Sequence, residues 1–195
     1  MIPDGYTDLA PGKIASVVTY LEMRDRPAQA ETNPEVRLRR IVDPELDWYR
    51  RIYRRAGAKW FWFSRLEMSD EQLTSVLSRS TTVIFTAERG STEIGWAELD
   101  RSDPRNVEIA SFAVFTEWQG KGLGRAFMAE VLARAWSDGP ERVWLHTCTL
   151  DSPGALAFYL KCGFRAYKRA IEVAHDPRIR GILPPDAAPH VPIIR

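Results

Sequence analysis

Cysteine is scarce in this chain, with only Cys148 and Cys162 present. Two cysteines make no disulfide framework, and no second pair completes a metal site, so a metal-free protein of a reducing, cytoplasmic compartment is expected. Long apolar runs are missing as well. None approaches the roughly 18 residues that a membrane-spanning helix needs, and the start, MIPDGYTDLA, has no basic segment followed by an apolar core. Nor is there an excess of charge: 27 Lys and Arg stand against 26 Asp and Glu, a net charge of +1. Such a balance exerts no long-range pull on nucleic acid or an anionic membrane, and neither is expected as a partner.

Apolar and charged residues make up 45% and 27% of the 195 positions, the composition of a globular chain of one-domain length. Lys13 to Met23 reads as a first strand, followed by a loop over 27–40. Pro44 suits the first turn of a helix running to about Ala56, with Leu46, Tyr49, Ile52 and Tyr53 on one face. Ser69 and Gln72 have capping-box spacing and open a second helix to about Arg79. Strands are expected at 81–88, 92–101 and 106–116, then a helix ended by Gly139-Pro140, a strand over 142–150, a short helix over 153–161 and a last strand over 164–173. The order β, α, α, β, β, β, α, β, α, β belongs to the α/β (α+β) class, as a mixed, mostly antiparallel central sheet flanked by helices. One domain is expected over 1–195, with residues 174–195, rich in proline and without periodicity, as an extended tail.

Between the third strand of the meander and the following helix lies Gln119-Gly120-Lys121-Gly122-Leu123-Gly124-Arg125. Closely spaced glycines let a backbone turn sharply and bring its N–H groups to a bulky anion, and a helix N-terminus adds unpaired donors. An ordinary ligand-free turn would look the same from the glycines alone. Two phosphate motifs are excluded by their own rules. Lys121 is followed by Gly122 and not by Ser or Thr, and position 127 is phenylalanine where a dinucleotide fingerprint needs Gly or Ala.

Set after the strand VEIASFAVFTEW, the pattern Gln119-x-x-Gly122-x-Gly124 resembles the acetyl-CoA pyrophosphate loop of GNAT acetyltransferases. A second block, SPGALAFYLKCGF over 152–164, is similar to that family's later segment, where a helix carries a tyrosine and ends in Gly-Phe. The resemblance covers residues 81–173, expected as the acetyl-CoA-binding core. It implies that acetyl-CoA meets the strand end Phe112, Ala113 and Val114 and the loop from Gln119 through Gly120, Lys121, Gly122, Leu123 and Gly124 to Arg125. It implies further contacts at Ser152, Ala155 and Tyr159. Ser152 departs from the pattern, since the family often has asparagine there, a longer side chain.

By the same resemblance Tyr159 faces the coenzyme sulfur and can protonate it, and the Val114 backbone donates to the oxyanion. Glu108 stands eleven positions before Gln119, the spacing at which some members carry a glutamate base. A solvated strand glutamate would look alike, and Glu98 is a weaker alternative. His146 and Cys148 share a strand face that either looks into an acceptor pocket or is packed, with His146 the reserve base. The run Trp60, Phe61, Trp62 and Phe63 either fills the core or walls the acceptor site. The resemblance implies transfer of an acetyl group to a primary amine of a small-molecule acceptor, with a homodimer left open. An inert acyl-CoA-binding module of the same fold is the alternative.

Overall fold

The computed structural model describes residues 4–27 and 35–195. Among the described residues, seven strands form one sheet: β1 (Lys13–Met23), β2 (Arg37–Ile41), β3 (Thr82–Arg89), β4 (Thr92–Asp100), β5 (Asn106–Val114), β6 (Arg142–Cys148) and β7 (Arg165–His175). Four α-helices accompany it, α1 (Leu46–Gly57), α2 (Asp70–Leu77), α3 (Leu123–Ala135) and α4 (Ala155–Lys161).

Local rules account for most of these elements. In α1, Tyr49, Ile52 and Tyr53 are buried at helical spacing, Asp47 lies in the first turn, and Arg54 and Arg55 face the negative end of the helix dipole in the last. The α2 capping box is closed in both directions: Ser69 Oγ accepts from Gln72 N at 3.2 Å, and Gln72 Oε1 accepts from Ser69 N at 2.9 Å. The largest core cluster packs Phe127, Met128 and Val131 of α3 against Leu99 of β4, Val107 and Phe112 of β5 and Leu145 of β6. A second cluster joins α1 and α2 to Trp96 and Phe115.

The strand order is β2-β3-β4-β5-β6-β1-β7. Each neighbouring pair is antiparallel except β5 and β6, which run parallel over only Asn106–Glu108 and Arg142–Trp144. Beyond Glu108 and Trp144 the two strands part, and the gap positions the site. The first strand lies between β6 and β7, so Val18 pairs with both Cys148 and Ala170.

Two expectations are corrected. The loop over 27–40 falls partly on residues 28–34, which lie outside the described residues, but its end is the edge strand β2. Three arginines in five residues masked it, and they are accommodated because an edge strand faces water; Arg39, for example, bridges Glu88 and Glu93. Residues 176–195 are not extended but fold back in turns. The buried Arg178 guanidinium pairs with Asp176 at 2.7 Å and donates to the carbonyls of Ala187 and Val191 at 3.1 and 2.9 Å. Leu183, Ala187 and Ala188 form a small core with Ile14 and Phe61. A buried ion pair held together by distant carbonyls leaves no periodicity to read.

Candidate active site

The gap between β5 and β6 opens onto a cavity of about 440 Å³. Phe115 N donates to Ile94 O of the neighbouring β4 at 2.9 Å. Peptide groups alternate direction along a strand, so the Val114 N–H points the other way, into the gap. Gln119 Nε2 donates to Val114 O at 2.9 Å and fastens the glycine loop to the end of β5. Gly120 and Gly122 take φ of 75° and 76°, left-handed values that strain any residue with a Cβ, and Gly122 is the N-cap of α3 with no capping side chain. The first-turn N–H groups of α3 are thereby left to a ligand. Gly124 has no such backbone demand. A Cβ there would meet Phe158 at 3.5 Å and Val114 at 3.6 Å, ordinary contacts.

Phe112, Ala113, Val114, Gln119, Gly120, Gly122, Gly124 and Arg125 all line this cavity, with Ser152, Ala155 and Tyr159 opposite. Two loop residues expected at the coenzyme do not line it. The Leu123 side chain is buried in the core, and the Lys121 ammonium lies 4.4 Å from the centre of the Trp118 ring. Tyr159 packs edge-on against Phe112 and Phe164, and burial drives its phenol far above the usual range, keeping the hydroxyl protonated.

A second cavity of about 280 Å³ adjoins the first and shares Trp60, Trp62 and Asp151 with it. Its walls bring together residues far apart in the chain: Tyr53, Phe61 and Phe63, the strand residues Ser16, Glu108, His146 and Cys148, and Glu172 of β7. The aromatic run does both jobs: all four rings line this cavity, while Phe61 is buried in a core cluster and Trp62 and Phe63 pack against core residues. Trp62 comes close because Gly57 lacks a side chain: a Cβ there would sit 2.1 Å from the indole. Four carboxylates line this cavity, Asp100, Glu108, Asp151 and Glu172. Its one guanidinium, Arg65, is bound to Glu98 at 2.5 Å.

Glu108 is pushed up to about 7, first by burial and then by the nearby Asp100 carboxylate, against the opposing pull of Arg65. His146 Nε2 lies 3.8 Å from Glu108 Oε1, and desolvation holds the imidazole below its ordinary value against the pull of Glu172 and Asp151. Burial raises the Cys148 thiol, which argues against a thiolate nucleophile. Glu98 is not a base candidate. It is 1% exposed and is held by Tyr49 Oη–H at 2.6 Å as well as by Arg65, and it lines neither cavity.

Sequence reasoning passed over Asp151. It follows β6 in a turn, and its only local signal is its position before Ser152-Pro153. Thr147 Oγ1 donates to its Oδ2 at 2.8 Å and Ser152 N to its Oδ1 at 3.0 Å. Burial raises its pKa despite these bonds. Among the described residues no group of three His, Cys, Asp or Glu side chains is placed to hold a metal ion, and no helix is long and apolar enough to cross a membrane.

An uncharacterized N-acetyltransferase of Mycobacterium tuberculosis (strain ATCC 25618 / H37Rv) is 32% identical over 103 residues, 53% of this chain and 65% of that protein. A mycothiol acetyltransferase of Acidothermus cellulolyticus is 30% identical over 95 residues, 49% of this chain and 27% of that protein. Both matches thus cover less than two thirds of the relative's own length. Among solved structures, a GCN5-related N-acetyltransferase from Sphaerobacter thermophilus superposes with a TM-score of 0.59 over 85% of this chain and 52% of that one, at 17% identity, and so shares the fold. Residues 44–164 match the acetyltransferase (GNAT) family, and the chain belongs to it.

Proposed function

We propose that this chain transfers an acetyl group from acetyl-CoA to a primary amine of a small, cationic acceptor. The observation that carries this reading is the meeting of two unlike cavities at one neck. One is walled by a glycine loop and a helix N-terminus and suits a pyrophosphate; the other is acidic and aromatic and suits an ammonium ion. Family membership and the likeness to a mycothiol acetyltransferase are consistent with it.

In this reading the N–H groups of residues 120–125 hold the pyrophosphate and Ser152 and Ala155 flank the coenzyme. The thioester supplies an activated acetyl group. An alkylamine has a pKa of about 10.4 and arrives protonated at neutral pH, so a base must help. Glu108 takes one proton from the acceptor through water. The freed nitrogen lone pair forms the new C–N bond, and the Val114 N–H stabilises the oxyanion. As the C–S bond breaks, Tyr159 gives its phenolic proton to the sulfur and regains one from the acylated nitrogen. His146 is the reserve base.

A turnover screen with acetyl-CoA across small amines, polyamines, aminoglycosides and peptide N-termini tests the reading. Turnover with small primary amines is expected. Acetyl-CoA binding with no turnover on any amine would replace the enzyme by an acyl-CoA-binding module.

A further inference from the structure

The mechanism above leaves Asp151 unused, although it is one of three residues common to both cavities. Its carboxylate is fixed from two sides, by the 96%-buried hydroxyl-bearing residue Thr147 of β6 and by the backbone of Ser152 at the entry to α4. Thr147 and Ser152 each hold one oxygen and the Trp62 indole N–H is a further donor, yet a carboxylate has about four lone-pair sites, so acceptor capacity remains. The other two shared residues are Trp60 and Trp62: the Trp62 indole N–H donates to Asp151, and the Lys59 ammonium lies 5.2 Å from the centre of the Trp60 ring, so the neck already gathers a cation and an anion. Gly57 lets the second of these indoles lie close. Among the described residues, Asp151 is the one carboxylate that lines both cavities, and it lies where an acceptor nitrogen would meet the coenzyme cavity.

On the basis of the acetyl-transfer reading, we propose that Asp151 is the binding residue for the reacting amine, seating its ammonium at the neck that the two cavities share. Glu108 lines the acceptor cavity alone, and so removes the proton from a nitrogen that Asp151 has already placed. The seat selects cationic primary amines with an alkyl carbon next to nitrogen, and discriminates against neutral hydroxyl compounds of the same shape. Seating at the neck restricts the nitrogen to near-attack positions, where correct placement is worth orders of magnitude in rate.

The test uses the full chain saturated with coenzyme A, which cannot transfer acetyl, and two isosteric probes, n-hexylamine and 1-hexanol, titrated by calorimetry. The wild-type protein is expected to prefer the amine by tenfold or more. Asp151→Asn keeps the shape and should cut that preference at least tenfold, whereas Glu172→Gln, which removes a carboxylate that lines the acceptor cavity but not the coenzyme cavity, should change it less than threefold. If Asp151→Asn does not fold, Asp151→Ser, whose hydroxyl can still accept from Ser152 N–H, carries the same comparison. Equal losses in the Asp151 and Glu172 variants would replace the seat by a diffuse acidic field. Coenzyme binding without preference for the amine overturns the seat alone, while failure to bind coenzyme A overturns the acetyl-transfer reading on which it rests.

Discussion

Replacing Glu108 by glutamine is expected to make the protein more stable, and only above a certain pH. The carboxyl lies in a partly desolvated wall with the Asp100 carboxylate nearby, and its pKa rises from 4.5 to about 7. The folded state therefore holds a proton that the unfolded chain has already released between these two values. Since the unfolded state binds fewer protons there, stability falls as pH climbs from about 4.5 to 7 and levels off above it. The Glu108 side chain is 21% exposed, so the charge is largely withdrawn from water. The rise in pKa corresponds to about 3 kcal/mol of destabilisation at pH 8, at 1.36 kcal/mol for each tenfold step. Glutamine has the same outline and carries no proton to lose. Urea unfolding of the wild type and Glu108→Gln at intervals from pH 4.5 to 8 should give nearly constant difference at the acid end and a gap widening toward about 3 kcal/mol in favour of glutamine. The same titration should appear in catalysis, with wild-type rate rising through pH 7 and the Glu108→Gln profile losing that limb. A stability difference that stays flat across this range would refute the desolvated carboxylate and with it the basis for a tuned base.

A Cβ at Gly124 meets only ordinary contacts in the fold, so Gly124→Ala should unfold near the wild-type temperature, and the bulkier Gly124→Val should weaken acetyl-CoA binding at least tenfold by calorimetry; unchanged affinity in a folded Gly124→Val protein would remove the loop from the coenzyme site. Tyr159→Phe should lower kcat by about ten- to a thousandfold with coenzyme affinity nearly intact, as expected of a proton donor acting in the transition state, and a normal rate would leave the ring a packing role. Arg178→Ala strands the buried Asp176 carboxylate, at a cost of about 3–5 kcal/mol in denaturant unfolding. Because the Arg178 guanidinium lies 4.7 Å from the centre of the Phe61 ring, which walls the acidic cavity, KM for the acceptor should rise more than KM for acetyl-CoA.

Sequence was most informative where the cause of structure is local. The Ser69–Gln72 cap, the strand-to-helix glycine loop and the Tyr49–Tyr53 face each declare themselves within a few residues, and the helices start within two residues of where they were expected, although α3 ends at Ala135, short of the Gly139-Pro140 stop. What sequence left open depends on partners far along the chain. Nothing near Lys13–Met23 says that this strand will lie between β6 and β7. Whether Glu108 is an ordinary or a raised carboxylate turns first on its burial in the cavity wall and then on Asp100 and the opposing Arg65, all of them set by folding. Glu98 was unreadable for the same reason, since its partners Tyr49 and Arg65 come from other elements. Asp151 has little local signature, and its interest lies wholly in where two cavities meet.

The place of β1 has a consequence for how the chain reaches its native state. On a ribosome this strand emerges well before the strands that flank it, β6 and β7. Until then a segment with Val17, Val18 and Leu21 has both edges unpaired, a template for strand pairing with another chain. Pairings such as Ile14 with Ala174 join residues 160 positions apart, the kind of contact that slows folding. Ser16 and Glu172, which form one wall of the acceptor cavity, are also directly paired here, so that wall is assembled only in this final step. A β2–β6 sheet formed early would already carry the glycine loop and β5, and coenzyme-site formation would precede acceptor-site formation along the folding path.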